Sequence, residues 1–146
     1  MQVVTIVYRL AIAFWTGGIA MFTFAVTPLI FKSFSRDLAG QIVGAVFPAY
    51  FRWGIACGLI GLVCTVILRG KMLIVTSALL VLMLAVTSFQ AFYVEPRAAE
   101  LKKQIVSFET TPKDHPLRRQ FSRLHGISAF CNLVVFAGGV TLIVLF

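Results

Sequence analysis

Residues 121–133 have the sequence FSRLHGISAFCNL and open the last long apolar segment of the chain. Within this stretch, His125, Ser128 and Asn132 are spaced at i, i+3 and i+7, so on a helix they share one face. A polar face turned toward lipid is costly, because hydrocarbon offers it no hydrogen-bond partner. The stretch therefore predicts one helix of a membrane bundle, with its polar face turned toward the protein interior or a wet cavity.

The composition is that of an integral membrane protein. The 146 residues are 60% hydrophobic and only 12% charged, and the mean hydropathy is +0.96. The net charge of +8 lies in short loops between apolar runs, which favours membrane orientation and contact with the lipid bilayer over nucleic-acid binding. The three cysteines, Cys57, Cys64 and Cys131, lie inside apolar runs, and we expect them to act as small hydrophobic residues.

Four apolar runs are each long enough to cross a bilayer core of about 30 Å. They cover residues 3–27, 48–68, 72–94 and 124–146. Pro28 predicts a kink or an end of the first helix, and Pro48 predicts the start of the second. Between the runs, we expect residues 36–46 and 97–109 to form two amphipathic helices at the membrane surface. The prediction is one domain, residues 1–146: an all-α, four-transmembrane-helix bundle with two interfacial helices.

The positive charges predict the orientation of the bundle. Four spans place both termini on one side of the membrane, and ten of the 13 Lys and Arg residues lie on the other side. The remaining three are Arg9, Arg69 and Lys71. Because cytoplasmic loops carry an excess of Lys and Arg, both termini are expected outside the cytoplasm. In a bacterium this would be the cytoplasmic membrane.

Two residue sets are candidates for function and for packing. The first consists of polar and charged side chains near the expected cytoplasmic face: Tyr50, Arg52, Glu95, Arg97, Arg123, His125, Ser128 and Asn132. We interpret it as a ligand site or a structural polar cluster, in which Glu95 pairs with an arginine. The second set is formed by glycines that would let helices approach closely: Gly17, Gly18, Gly54, Gly58 and Gly61.

The motifs leave three functional hypotheses open. No hydrolase, phosphate-loop or dinucleotide motif occurs, so we name no catalytic residue, and a non-enzymatic protein is favoured. The first hypothesis is a protein that binds or helps to move a small solute, ion or lipid. The second is a redox protein that holds haem or a soft metal through His125, with a homodimer supplying a second His125 as the alternative to a single-chain site; no cofactor is the first expectation. The third is a membrane scaffold. Homo-oligomers are expected, because four spans cannot enclose a wide pathway.

Four ordered motifs also resemble a known family. They are WxG at 15–17, FPAYF at 47–51, EPR at 95–97 and RxHGxSxxCNL at 123–133. Together they resemble the transmembrane protein 205-like family of small four-span membrane proteins. The resemblance implies the same fold and no established biochemical activity. It directs attention to Pro48, Tyr50, Glu95, Pro96, Arg97, His125, Ser128 and Asn132. The chain is shorter between spans three and four, so the trafficking role of the eukaryotic member is not carried over.

Overall fold

Four long helices build the protein. The computed structural model describes residues 1–145, and this range contains helices and no strand. The helices are α1 (Gln2–Ser33), α2 (Arg36–Leu68), α3 (Leu73–Gln104) and α4 (Pro116–Leu145), and each is long and apolar enough to cross a membrane. The predicted all-α, multi-pass membrane class is therefore confirmed. Phe146, the last residue of the fourth expected span, lies outside the described residues.

The helices pack in chain order around one core. Each helix contacts its neighbours in the chain, and α4 closes the bundle against α1. Buried side chains from all four helices meet at the centre: Tyr8, Ile12, Trp15, Cys57, Cys64, Leu80, Met83, Val135 and Leu142. Lipid is as apolar as these side chains, so close van der Waals contact rather than removal from water stabilises such a core.

Glycines of α2 and α4 allow this close contact. A methyl group added at Gly58 would lie 2.5 Å from Leu84 and 2.6 Å from Trp15. At Gly54, it would lie 2.8 Å from the Trp15 indole nitrogen, and at Gly61 it would lie 3.1 Å from Ile12. Two further glycines, which the sequence analysis did not name, are equally close to a neighbour: Gly138 against Met83 and Gly139 against Thr16.

The two glycines predicted to pack in the first helix differ from this pattern. Gly17 is exposed and borders open space, while Gly18 is only in ordinary contact with Trp53, at 3.8 Å. Neither position brings two helices unusually close. A glycine doublet shows only that a close approach is allowed, and the partner helix decides whether it occurs.

The second helix differs from its prediction. One continuous helix, Arg36–Leu68, replaces the expected surface helix and separate span, and Pro48 lies inside it. Its start is as predicted, because the Ser35 hydroxyl accepts a hydrogen bond from the Leu38 N–H at 3.4 Å. Ala39 and Val43 are buried, so the first turns are held by packing and the helix continues through the proline.

The first and third helices share a second departure from the expected pattern. Both pass through a single π-helical turn, Phe22–Val26 in α1 and Gln90–Val94 in α3, and a proline follows two residues after each turn. In these turns the N–H of Thr27 donates to the Phe22 carbonyl, and that of Glu95 donates to the Gln90 carbonyl. The expected kink or end at Pro28 is thus a π turn within a continuing helix. The expected surface helix 97–109 is the end of α3, which stops at Gln104.

A cleft at the charged end of the bundle

The helices are longer than a membrane is thick. At 30–33 residues each, they measure about 45–50 Å, compared with about 30 Å for the hydrocarbon core of a bilayer. One end of the bundle carries the loops 34–35 and 105–115 together with nine of the 13 Lys and Arg residues, while Arg52 lies at the middle of α2. This charged end therefore extends into the head-group region and the water beyond it.

A large cleft opens at this end. It has a volume of about 830 Å³ and lies between the first half of α2, the last turns of α3 and the first half of α4. Two kinds of side chain line it. The cations are Arg36, Lys102, Lys103 and Arg118, with Glu95 as the carboxylate. The aromatic residues are Phe31, Phe47, Phe51, Phe108 and Phe121.

Lys102 reaches across the cleft toward α2. It is half-buried on α3, and its ammonium lies about one van der Waals contact beyond the positions where side chains would begin at Gly40 and Gly44. The Nζ atom is 3.5 Å from a Cβ built at Gly40 and 3.4 Å from one built at Gly44. Asp37 and Glu95 are the carboxylates that interact with it electrostatically. A methyl group at Gly40 or Gly44 would therefore be in ordinary van der Waals contact with this cation.

The loop 105–115 is fastened beside the cleft by Asp37. The Asp37 carboxylate accepts hydrogen bonds from the Ser107 hydroxyl at 2.6 Å and from the Phe108 N–H at 2.7 Å. Arg118 donates to the Thr111 carbonyl, and its guanidinium lies 5.7 Å from the centre of the Phe108 ring. These contacts hold Phe108 and Arg118, both of which line the cleft, in fixed positions.

Three of the eight predicted site residues line the cleft. Glu95 is half-buried at the first turn after the π segment of α3. His125 is exposed, and its ring lies parallel to the Phe121 ring with centroids 6.4 Å apart. The Ser128 hydroxyl donates to the Gln90 side-chain oxygen at 3.1 Å, and Gln90 is buried. His125 and Ser128 thus share a face, as their i, i+3 spacing predicts.

Two other predicted residues meet deeper in the bundle. The Tyr50 hydroxyl donates to the Asn132 side-chain oxygen at 3.3 Å. Both residues line a separate cavity of about 10 Å³, next to Trp15 and Thr87. A cavity of this size holds about one water molecule. The hydrogen bond joins α2 to α4 and belongs to the packed part of the bundle.

The three predicted arginines lie outside both cavities. Arg52 donates through Nε to the Pro48 carbonyl at 3.0 Å, Arg97 lies 4.0 Å over the Tyr93 ring, and Arg123 is exposed. The expected Glu95–arginine ion pair does not form within residues 1–145, where the ion pair present is Lys103–Glu100 on the surface at 3.7 Å. Arg97 follows Glu95 by two residues, about 200° around the helix, so the two side chains point apart.

Sequence reasoning missed Lys102, Asp37 and Gln90 as parts of the site. A signal for Lys102 was present: Glu95, Ala98 and Lys102 are spaced at i, i+3 and i+7 and share a helix face. No local signal could have identified Asp37, because its partners lie 70 residues further along the chain. Within residues 1–145, His, Cys, Asp and Glu side chains form no group of three that could hold a metal. The His125 redox hypothesis stays a prediction.

A family model matches about two thirds of the chain. Residues 10–107 match the family model described as a domain of unknown function, DUF4149. The chain belongs to this family. The DUF4149 match covers most of α1, all of α2 and α3, and the α2 and α3 walls of the cleft.

A relative extends the similarity beyond the DUF4149 match. An uncharacterized protein of Aquifex aeolicus (strain VF5) is 31% identical over 124 residues, which is 85% of this chain and 82% of the relative. No solved structure matches. The finer resemblance to the transmembrane protein 205-like family stays a prediction.

Proposed function

We propose that the protein binds, or helps to move, a small amphipathic molecule in the cleft at the charged end of the bundle. One observation carries this proposal: a single cleft of about 830 Å³ is lined by both cations and phenylalanine rings. Pockets for small ligands commonly measure about 300–1,000 Å³ and combine an apolar wall with a few convergent polar groups. The proposal places the function at the cytoplasmic face, given the predicted orientation.

The state of the cations favours a ligand site over a scaffold. Of the four cations that line the cleft, Lys103 alone forms an ion pair within residues 1–145, and its partner is Glu100 at the surface. A protein that serves only as a scaffold gains stability by filling such a space with close-packed side chains. Lining it with unpaired cations contributes little to stability but creates a site that attracts anionic groups.

Filling the cleft with a larger side chain tests the proposed function. Ala98 lines the cleft, whereas Ala129 is exposed on α4 and lies outside it. We expect the full-length protein, purified gently from its native membrane, to retain a small amphipathic molecule that native mass spectrometry detects. Ala98→Phe should lose this molecule, because the new ring occupies the cleft, and Ala129→Phe should keep it. Equal retention by both variants, or none in the unmodified protein, would contradict the proposal.

The same sample tests the redox hypothesis. A protein that holds haem shows a strong absorption band near the ultraviolet edge of the visible spectrum, and a protein that holds a metal shows it in elemental analysis. If either signal is present and is lost in His125→Ala, the redox hypothesis replaces the ligand-binding proposal.

A further inference from the structure

We infer that the molecule in the cleft is an anionic phospholipid of the bilayer, and that Lys102 is the residue that selects it by charge. This inference rests on the proposed function and names its ligand. Three features of the cleft support it: the position of Lys102, the charge that surrounds Lys102, and the aromatic wall that continues along α2 toward the core.

The structure holds the Lys102 ammonium inside the cleft. Its Nζ lies about one van der Waals contact from the positions that Cβ atoms would take at Gly40 and Gly44 of α2. The Asp37 and Glu95 carboxylates interact with it electrostatically. Lys102 is half-buried, whereas Lys103 on the same helix and Lys113 in the loop 105–115 are exposed.

The charge around Lys102 is unbalanced. Arg36, Lys102 and Arg118 face the cleft, and none of them forms an ion pair within residues 1–145. The Asp37 carboxylate nearby already accepts hydrogen bonds from Ser107 and Phe108. Glu95 is the one carboxylate among the lining residues. An anion with several oxygen acceptors would complement this set, and phosphate is the group that arginine and lysine bind most readily together.

The aromatic wall distinguishes a lipid from a free phosphate. From the cleft, Phe47 and Phe51 continue along α2 toward the core, with stacked rings 5.6 Å apart, and Phe51 is buried. Phe31, near the end of α1, also lines the cleft and is 42% exposed. A free phosphate has no apolar atoms to pack against these rings, whereas the glycerol and upper acyl carbons of a lipid would cover them. Anionic lipids are also concentrated at the cytoplasmic surface.

The experiment compares head groups on matched acyl chains. Full-length protein in a neutral detergent is titrated with dioctanoyl phosphatidic acid, with dioctanoyl phosphatidylcholine and with inorganic phosphate, and binding is followed by native mass spectrometry. We expect a preference of about tenfold for phosphatidic acid over phosphatidylcholine, a size typical of one charge-assisted contact. Lys102→Gln should remove most of this preference and Lys102→Arg should keep it.

Lys113→Gln is the matched control. It removes one positive charge from the exposed loop 105–115, outside the cleft, and should leave the preference unchanged. Each variant is first shown to elute as the unmodified protein does on size exclusion, and Arg36→Gln provides a second test if Lys102→Gln does not fold. Binding of both lipids with equal affinity in the unmodified protein overturns this inference and leaves the proposed function standing. Binding of inorganic phosphate as tight as that of phosphatidic acid also overturns it. Binding of neither lipid overturns it as well, and the proposed function is then decided separately by the retention test with Ala98→Phe and Ala129→Phe.

Discussion

At Gly58, the backbone of α2 lies directly against Trp15 of α1 and Leu84 of α3. A methyl group there would approach both side chains to about 2.6 Å, well inside normal contact distance. At Gly17 a methyl group would meet nothing within 4 Å. Both are glycines in regular helix, so the difference between them depends only on whether side chains of another helix lie next to them.

This difference predicts opposite effects of alanine. Gly58→Ala should lower the free energy of unfolding by about 1–3 kcal/mol, because Trp15 and Leu84 must move to accept the methyl group. Gly17→Ala should leave it unchanged or raise it by up to about 1 kcal/mol, because alanine favours a helix more than glycine does. Thermal unfolding in one detergent, followed by tryptophan fluorescence, measures both. Equal stability of the two variants would show that α2 does not approach α1 and α3 as closely as the structure has it.

Polar side chains inside the bundle also contribute at the level of single residues. Tyr50–Asn132 joins α2 to α4, and Gln90–Ser128 joins α3 to α4. Interhelical hydrogen bonds of this kind contribute on average about 0.6 kcal/mol in membranes. Their main effect is therefore to fix the rotation of α4 relative to its neighbours. That rotation places His125 and Ser128, rather than Arg123, in the cleft.

Among the elements, the π turns of α1 and α3 form a matched pair. Each ends two residues before a proline, at Pro28 and at Pro96, and each marks the point where an apolar helix continues into the charged end. A π turn holds one residue more than an α turn and leaves the flanking helix otherwise unchanged. It also accommodates the proline, because the ring would otherwise meet the carbonyl of the preceding turn.

Deletion of a single residue tests this description of the π turn. Removing Ala25, in a protein that also carries Pro28→Ala, should convert Phe22–Val26 into a regular helix and keep every core contact. The variant should fold, with a loss of stability within about 1 kcal/mol. Removing Ala13, which is equally exposed but lies in a regular turn, should rotate the rest of α1 by about 100° and withdraw Trp15 from the core. Yield and thermal unfolding in detergent measure both variants, and equal damage from the two deletions would contradict the prediction.

The elements also show what can be predicted from a sequence of this kind. Apolar length was enough to identify four membrane helices, and the expected surface helix 36–46 begins at the residue where α2 starts. The continuity of α2 through Pro48 was not predictable from local rules, because buried Ala39 and Val43 hold the turns that precede the proline. Of the polar site, the i, i+3 spacing identified His125 and Ser128. The contribution of Asp37 and Lys102 depends on contacts between distant segments, which no periodicity reports.

For the molecule as a whole, charged residues are distributed unevenly along the bundle axis. All five carboxylates and nine of the 13 Lys and Arg residues lie at the end that contains the cleft. Arg52 lies at the middle of α2, and Arg9, Arg69 and Lys71 lie toward the other end. A membrane inserts the end richer in Lys and Arg on the cytoplasmic side. The cleft would then open onto the leaflet in which anionic lipids are most abundant, so the orientation and the inferred ligand are connected.

Cysteine accessibility tests this orientation. With Cys57, Cys64 and Cys131 replaced by alanine, one cysteine is introduced either at Gly70, in the turn between α2 and α3, or at Lys113, in the loop 105–115. We expect a membrane-impermeant maleimide to label Gly70→Cys in sealed right-side-out vesicles and to label Lys113→Cys only after the vesicles are opened. The reverse pattern would place the cleft on the outer face, where anionic lipids are less abundant. It would contradict the predicted topology and remove this support for the Lys102 inference. Labelling of both positions in sealed vesicles would mean that the chain inserts in two orientations, because the excess of Lys and Arg at the cleft end is too weak to orient it.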